Sequence, residues 1–271
     1  MNYKQNLHIH TRYCDGQNTP EEMAEAAIAQ GFDSIGFSIH SHLPDSHWSA
    51  ASEAVVDTYY HHIQRLKEEY AGRIKIFTGI EYDYCSQPDG HKWDYRIGSV
   101  HYFLLNGQRV CFDTSKEKVG KLIDAWFDGD GMAYAKAYYE HVAKLPEKGD
   151  FQILGHTDII TKYAEQITYF DETSPQYRKY VCDALDALEG KIPFFEVNSG
   201  AIARGYRTTP YPAPIILDEL KKRNFGAVIT SDCHICEKMS CHYPQSAKLL
   251  WDHGFREIWV LTEEGFVAKS L

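Results

Sequence analysis

Short apolar runs of strand length alternate along this chain with longer stretches of helical period. The runs fall at 3–9, 32–39, 74–84, 95–105, 151–154, 193–197 and 227–230, with a last one at 257–261. Between them the 3.6-residue period predicts helices from Pro20 to Gly31, over 51–71, near 115–127 and 132–145, and near 175–189, 214–223 and 244–253. The first helix start is fully marked: Thr19 caps, Pro20 takes the first helical position, and Glu22 completes a capping box. Strand-helix alternation of this kind predicts a parallel sheet with helices outside it. Strands that are apolar almost throughout fit a sheet buried on both faces.

What ends each strand matters more than the strands themselves. The first seven runs place a His, Asp, Glu or Asn at or just beyond their C-terminal end, and the eighth has no such residue at its end. In a βα barrel the C-terminal strand ends converge on one centre. An open doubly wound sheet, the rival architecture, would spread them along a crevice. We therefore expect an α/β fold in which one domain, residues 1–271, forms a barrel of seven strands.

His8-x-His10 ends the first run, and a strand period of two puts both imidazoles on one face. His40-x-His42 repeats the pattern at the second run, and Asp232-x-His234 repeats it with a carboxylate at the seventh. Glu81, His101 and His156 add one ligand-type side chain each from the central strands, and Asp15 follows the first. His8, His10, Asp15, His40, Glu81, His101, His156, Asp232 and His234 are too many for one tetrahedral ion. Mixed nitrogen and oxygen donors suit zinc, iron or manganese over calcium or magnesium, and two or three ions would use them all. Cys233-x-x-Cys236, with Cys241 nearby, offers a competing zinc knuckle or redox pair, but its spacing is not that of a zinc ribbon. The remaining histidines, His61, His62, His141 and His253, read as helix or surface residues; His47 and His91 fall in loops.

Composition narrows the partners. Of 271 residues, 28 are Lys or Arg and 38 Asp or Glu, a net charge of −10 that disfavours nucleic acid. No run approaches the roughly 18 apolar residues of a membrane span, and the start has no apolar signal segment. Seven scattered cysteines read as reduced thiols, so a cytoplasmic location is expected.

Taken in order, His8-Ile9-His10-Thr11 with Cys14-Asp15-Gly16, His40, Gly79-Ile80-Glu81, Ser99-Val100-His101, Gly155-His156-Thr157-Asp158 and Ser231-Asp232-Cys233-His234 resemble the PHP (polymerase and histidinol phosphatase) family. The likeness spans nearly the whole chain, and around Glu196–Gly200 it is greatest to the family's stand-alone histidinol-phosphate phosphatases. It implies a distorted (βα)7 barrel, in agreement with the strand ends. It also implies a trinuclear centre of divalent transition-metal ions (Zn, Fe or Mn). One ion would take His8, His10, Glu81 and Asp232; the second Glu81, His101 and His156; the third Asp15, His40 and His234.

The implied activity is hydrolysis of a small phosphate ester, foremost L-histidinol phosphate in histidine biosynthesis. The alternative is a PHP-type phosphoesterase acting on nucleotides or other small esters. A leaving alkoxide needs a proton. His42, two residues past His40, is the expected acid, with Asp94 assisting it. Arg204, through its fork of donors, and Asn198 are the expected substrate contacts.

Overall fold

The computed structural model describes residues 3–87 and 89–271. Its strands are β1 (Gln5–Asn6), β2 (Ser34–His40), β3 (Lys75–Asp83), β4 (Tyr95–Ser99), β5 (Tyr102–Leu105), β6 (Gln108–Cys111), β7 (Ile153–Leu154), β8 (Phe194–Asn198), β9 (Gly226–Thr230), β10 (Glu257–Thr262) and β11 (Gly265–Ser270). Its helices are α1 (Pro20–Ala29), α2 (Glu53–Glu69), α3 (Lys116–Phe127), α4 (Gly131–Ala143), α5 (Pro175–Leu188), α6 (Gly200–Ala203), α7 (Pro214–Lys222) and α8 (Tyr243–Asp252). Every helix expected from the apolar period is present, and the capping box of Thr19 and Glu22 forms at α1.

Seven strands pair in parallel in the order β1-β2-β3-β4-β7-β8-β9. A bridge between Ile9 and Cys233 brings the two edges together: the His10 amide donates to the Cys233 carbonyl at 2.8 Å, and the Cys233 amide donates to the His8 carbonyl at 3.0 Å. The result is a nearly closed seven-stranded barrel. It is distorted, because the crossover from β3 to β4 has no helix of its own.

One run folds differently from the sequence expectation. The run 95–105 does not continue as one strand: β4 ends at Ser99, and β5 turns away to pair antiparallel with β6. The run 257–261 forms a last strand beyond the seven, as expected, and pairs antiparallel with β11 outside the barrel sheet.

Outward-facing residues such as Phe37, Ile39 and Phe195 pack with Met23, Tyr59, Ile63 and Val181 of the helices in one large core. Inside the barrel, Leu7, Phe77, Tyr95, Ile97, Ile153, Phe194 and Val228 form a second core, closed from below by Leu261 of β10. Tyr95 fills the middle, its hydroxyl donating to the Leu7 carbonyl at 2.6 Å and the Phe37 carbonyl at 3.1 Å. Gly79 makes the room for it, since a Cβ there would lie 2.2 Å from Tyr95 Cζ. This apolar floor leaves only the C-terminal mouth for polar chemistry.

Candidate metal centre

Above that floor every polar strand end turns inward. Glu81 stands at the centre, 1% exposed. One carboxylate oxygen, Oε2, lies 3.2 Å from His8 Nε2, 3.5 Å from His10 Nε2 and 2.9 Å from His40 Nδ1. The other, Oε1, lies 2.9 Å from His156 Nε2 and 3.5 Å from His101 Nε2. A single carboxylate thus joins two groups of imidazoles. Asp232 Oδ1 closes one side at 3.4 Å from His10 Nε2, and Asp15 closes another at 3.1 Å from His234 Nε2 and 3.6 Å from His40 Nε2.

Three compact donor groups result. They are His8, His10 and Asp232; Glu81, His101 and His156; and His10, Asp15, His40 and His234. All nine residues expected as ligands come together. His10 departs from the expected partition by reaching both its own group and that of Asp15, its ring stacked between those of His40 and His234 at 4.2 and 4.4 Å.

The donor set fits divalent ions on two counts. Two ligands about 2.1 Å from a tetrahedral metal stand about 3.4 Å apart, the range seen between these atoms. Moreover, His8 Nε2, His10 Nε2 and Glu81 Oε2 are buried with no partner in hydrogen-bonding geometry. Buried polar atoms are rarely left so unless something else satisfies them.

Charge is arranged for the same purpose. Burial would raise the Glu81 carboxyl, but His8, His40 and His101 hold it well below the usual carboxylate range. Burial likewise opposes ionisation of Asp232, and the Arg204 guanidinium and His8 reverse it. Burial together with His40 and His234 pushes His10 down to about 3, leaving a neutral imidazole. His40 goes the other way against its own burial, raised to about 8 chiefly by Glu81 and Asp15. A cation entering here would displace protons from imidazoles that the carboxylates hold charged.

Local backbone conformation supports this packing. Asp232 adopts the left-handed region (φ 46°), which costs energy in a non-glycine residue and turns its side chain toward His10. Gly200 makes space for it, because a Cβ there would come within 2.6 Å of Asp232 Oδ2.

The cavity above the clusters holds about 330 Å³, and its wall includes Trp48, Asp113, Lys162, Arg204 and Tyr206. Arg204 reaches it as expected, bound to Asp232 Oδ2 at 2.9 Å. Three other expected site residues do not. Strand β2 stops at His40, so the alternation that would aim His42 inward is lost, and its Nδ1 meets the Ala50 carbonyl at 2.8 Å. Asp94 precedes β4 at the opposite end of the barrel, accepting from the Thr78 amide at 2.7 Å and Lys67 at 2.8 Å. Asn198 is fully buried behind Asp232, donating to Glu196 at 2.8 Å and accepting from the Gly200 amide at 2.8 Å. Its place is that of a support, not of a substrate contact.

Sequence reasoning missed Trp48, Lys162, Asp83 and Glu196. Asp83 Oδ2 lies 3.2 Å from His101 Nδ1, and Glu196 Oε2 lies 2.8 Å from His8 Nδ1. Both lie two residues from a flagged position on their own strand, a spacing that puts them on the same face. Among the described residues no cysteine joins a metal-type group. Cys233 points to the Ile235 carbonyl and Cys236 packs on Met23, so the zinc knuckle does not form.

The barrel and its mouth of imidazoles define a metal-dependent hydrolase of the PHP type. The profile of the PHP domain matches residues 6–200, and the chain belongs to that family. It is 29% identical over 253 residues to a histidinol-phosphatase of Bacillus subtilis, covering 85% of this chain and 93% of the relative. It is 27% identical over 268 residues to a probable histidinol-phosphatase of Deinococcus radiodurans, covering 93% and 94%. Among solved structures, a putative histidinol phosphatase of Listeria monocytogenes superposes with a TM-score of 0.76 at 20% identity, over 89% of this chain and 99% of that one. A histidinol phosphate phosphatase of Lactococcus lactis, complexed with zinc, L-histidinol and phosphate, superposes at 0.72 and 19% identity, over 97% and 98%. Among the described residues no helix is long and apolar enough to cross a membrane.

Proposed function

We propose that the chain is a metal-dependent phosphomonoesterase that hydrolyses L-histidinol phosphate to L-histidinol and phosphate, in histidine biosynthesis in the cytoplasm. The observation that carries the reading is Glu81, a buried carboxylate whose two oxygens join separate imidazole groups at the barrel mouth. The names of the relatives supply the substrate.

In this reading His8, His10, Glu81 and Asp232 hold one ion, Glu81, His101 and His156 a second, and Asp15, His40 and His234 a third. Such ions lower the pKa of a bound water toward neutrality and neutralise phosphoryl oxygens. Arg204 and Lys162 add fixed positive charge on the cavity wall, each already oriented by a carboxylate, Asp232 and Asp113 respectively. With His42 turned away, protonation of the leaving alcohol falls to His47, among the described residues the one cavity-lining imidazole outside the ligand clusters.

The test is phosphate release from L-histidinol phosphate beside a panel of nucleotides and sugar phosphates, with metal content measured in parallel. Histidinol phosphate should be hydrolysed fastest, chelation should abolish turnover, and zinc, manganese or iron should restore it at a content near three ions per chain. A faster nucleotide substrate would move the assignment to the alternative phosphoesterase. Full activity with one ion per chain would overturn the three-ion centre.

A further inference from the structure

Glu196 is fully buried beneath the metal-type clusters, and no step above uses it. Its two carboxylate oxygens receive bonds from its own strand and from the ends of β1, β7 and β9. Oε1 accepts from the His156 amide at 2.7 Å and from Asn198 Nδ2 at 2.8 Å. Oε2 accepts from the Thr230 hydroxyl at 2.7 Å and lies 2.8 Å from His8 Nδ1.

We infer that Glu196 is the positioning residue of the centre, fixing the proton of His8 on Nδ1 and so presenting a bare Nε2 to the metal. The inference rests on the metal-dependent reading and deepens it. Three of the contacts have settled polarity, because an amide, a side-chain NH₂ and a hydroxyl that faces a carboxylate can only donate. A carboxylate has no proton to give, so the fourth contact is also a donation, from His8 Nδ1–H. One proton on Nδ1 of a neutral ring leaves Nε2 as a lone pair. That atom is one of the buried atoms without a hydrogen-bond partner, 3.2 Å from Glu81 Oε2 and 3.8 Å from Asp232 Oδ1. Imidazole ligands are ordinarily held this way by an acceptor behind the ring.

The four-donor arrangement also makes Glu196 hard to replace. A glutamine is nearly the same shape but carries one acceptor oxygen and one NH₂. In one orientation its NH₂ meets the His8 and Thr230 donors; in the other it meets the His156 amide and Asn198. The His156 amide and Asn198 Nδ2 can only donate, whereas the Thr230 hydroxyl can turn to accept, so the NH₂ settles toward His8 and Glu196→Gln reverses the His8 tautomer. An aspartate keeps the charge but falls one methylene short of His8.

The experiment compares zinc affinity and metal content of wild type, Glu196→Gln, His8→Ala and the double variant, with circular dichroism of the metal-free proteins as the fold control. Glu196→Gln should weaken binding of one ion by about 10- to 100-fold. It should add little in the His8→Ala background, where the ring it orients is gone. Unaltered zinc affinity in Glu196→Gln, or a full additional loss in the His8→Ala background, would overturn the inference. A wild type that binds no metal would instead overturn the functional reading. Nitrogen NMR of the histidines in the zinc-loaded wild type needs no variant to fold: it should show His8 protonated at Nδ1 and ligated through Nε2. Ligation through Nδ1 would refute the role of Glu196.

Discussion

The two ends of the barrel handle buried polar atoms in opposite ways. At the N-terminal end Gln5 extends its side-chain amide like an extra backbone unit, accepting from the Leu261 amide at 2.8 Å and donating to its carbonyl at 2.9 Å. Nothing there is left over, and Leu261 and Phe266 cover the floor from below. At the C-terminal mouth several buried polar atoms, among them His8 Nε2, His10 Nε2 and Glu81 Oε2, have no such partner. Both ends are closely packed, so packing does not distinguish them. Unspent hydrogen-bonding capacity does, and it identifies the end built to receive something.

The comparison breaks most sharply at Glu81. Glu81→Gln keeps the shape but removes the charge that joins the two imidazole groups. It should lower phosphate release by about 10³-fold or more, equivalent to about 4 kcal/mol, and empty at least one metal position. His234→Ala, nearer the surface, should remove one ion and most turnover. Elemental analysis beside turnover assays checks both, and wild-type metal content in Glu81→Gln would contradict the shared role of this carboxylate. Between the two ends, Gly79→Ala should cost stability instead, about 3 kcal/mol, because its methyl would overlap the Tyr95 ring. Thermal melts would show it, and Tyr95→Leu should then cost less in the Gly79→Ala background than alone.

The ligand set was legible because strand ends obey a two-residue period: His8 with His10 and Asp232 with His234 need only local geometry. The helices were legible for a similar reason, each carrying its own apolar stripe and often a cap. His42 and Asp94 were misplaced by extrapolating that regularity. Ser41 and His42 bear no local mark that β2 has ended, and Asp94 lies at the start of a strand, where the barrel mouth is a full strand length away. The β5–β6 hairpin did carry a signal, Asn106-Gly107, with both residues at positive φ. The apolar run 95–105 masks it, because that run reads as one unbroken strand. Glu196, Trp48 and Lys162 depend on which strands become neighbours after closure, which no window of sequence contains.

At the plugged end, Gln5→Ala should cost about 2 kcal/mol, since it leaves the buried Leu261 amide and carbonyl without their partners. Chemical denaturation of the metal-free protein measures this. Metal content and turnover should match wild type, and a loss of metal here would show that the two ends are energetically coupled, not separate.

The smallest effect belongs to a region outside both ends. Glu219 on α7 is bound by Lys222 at 2.9 Å and Arg223 at 2.8 Å, and by Arg178 of α5 at 2.5 Å. Lys222 chiefly holds its carboxyl down to about 2, with burial opposing and Arg223 and Arg178 assisting. Because the folded value lies below the ordinary 4.5, this stabilisation is complete above about pH 4.5 and is lost as pH falls toward 2. The shift alone would correspond to about 3 kcal/mol, but the partners Lys222 and Arg178 are roughly half exposed, and solvent screening reduces the expectation to about 1 kcal/mol. Denaturation of metal-free wild type and Glu219→Gln should therefore differ by that amount from pH 8 to 5, with the difference shrinking below about pH 4.5 and vanishing toward pH 2. Added salt should shrink the difference at neutral pH. A cost that persists undiminished at pH 3 would mean that Glu219 acts through its shape and hydrogen bonds and not through its charge.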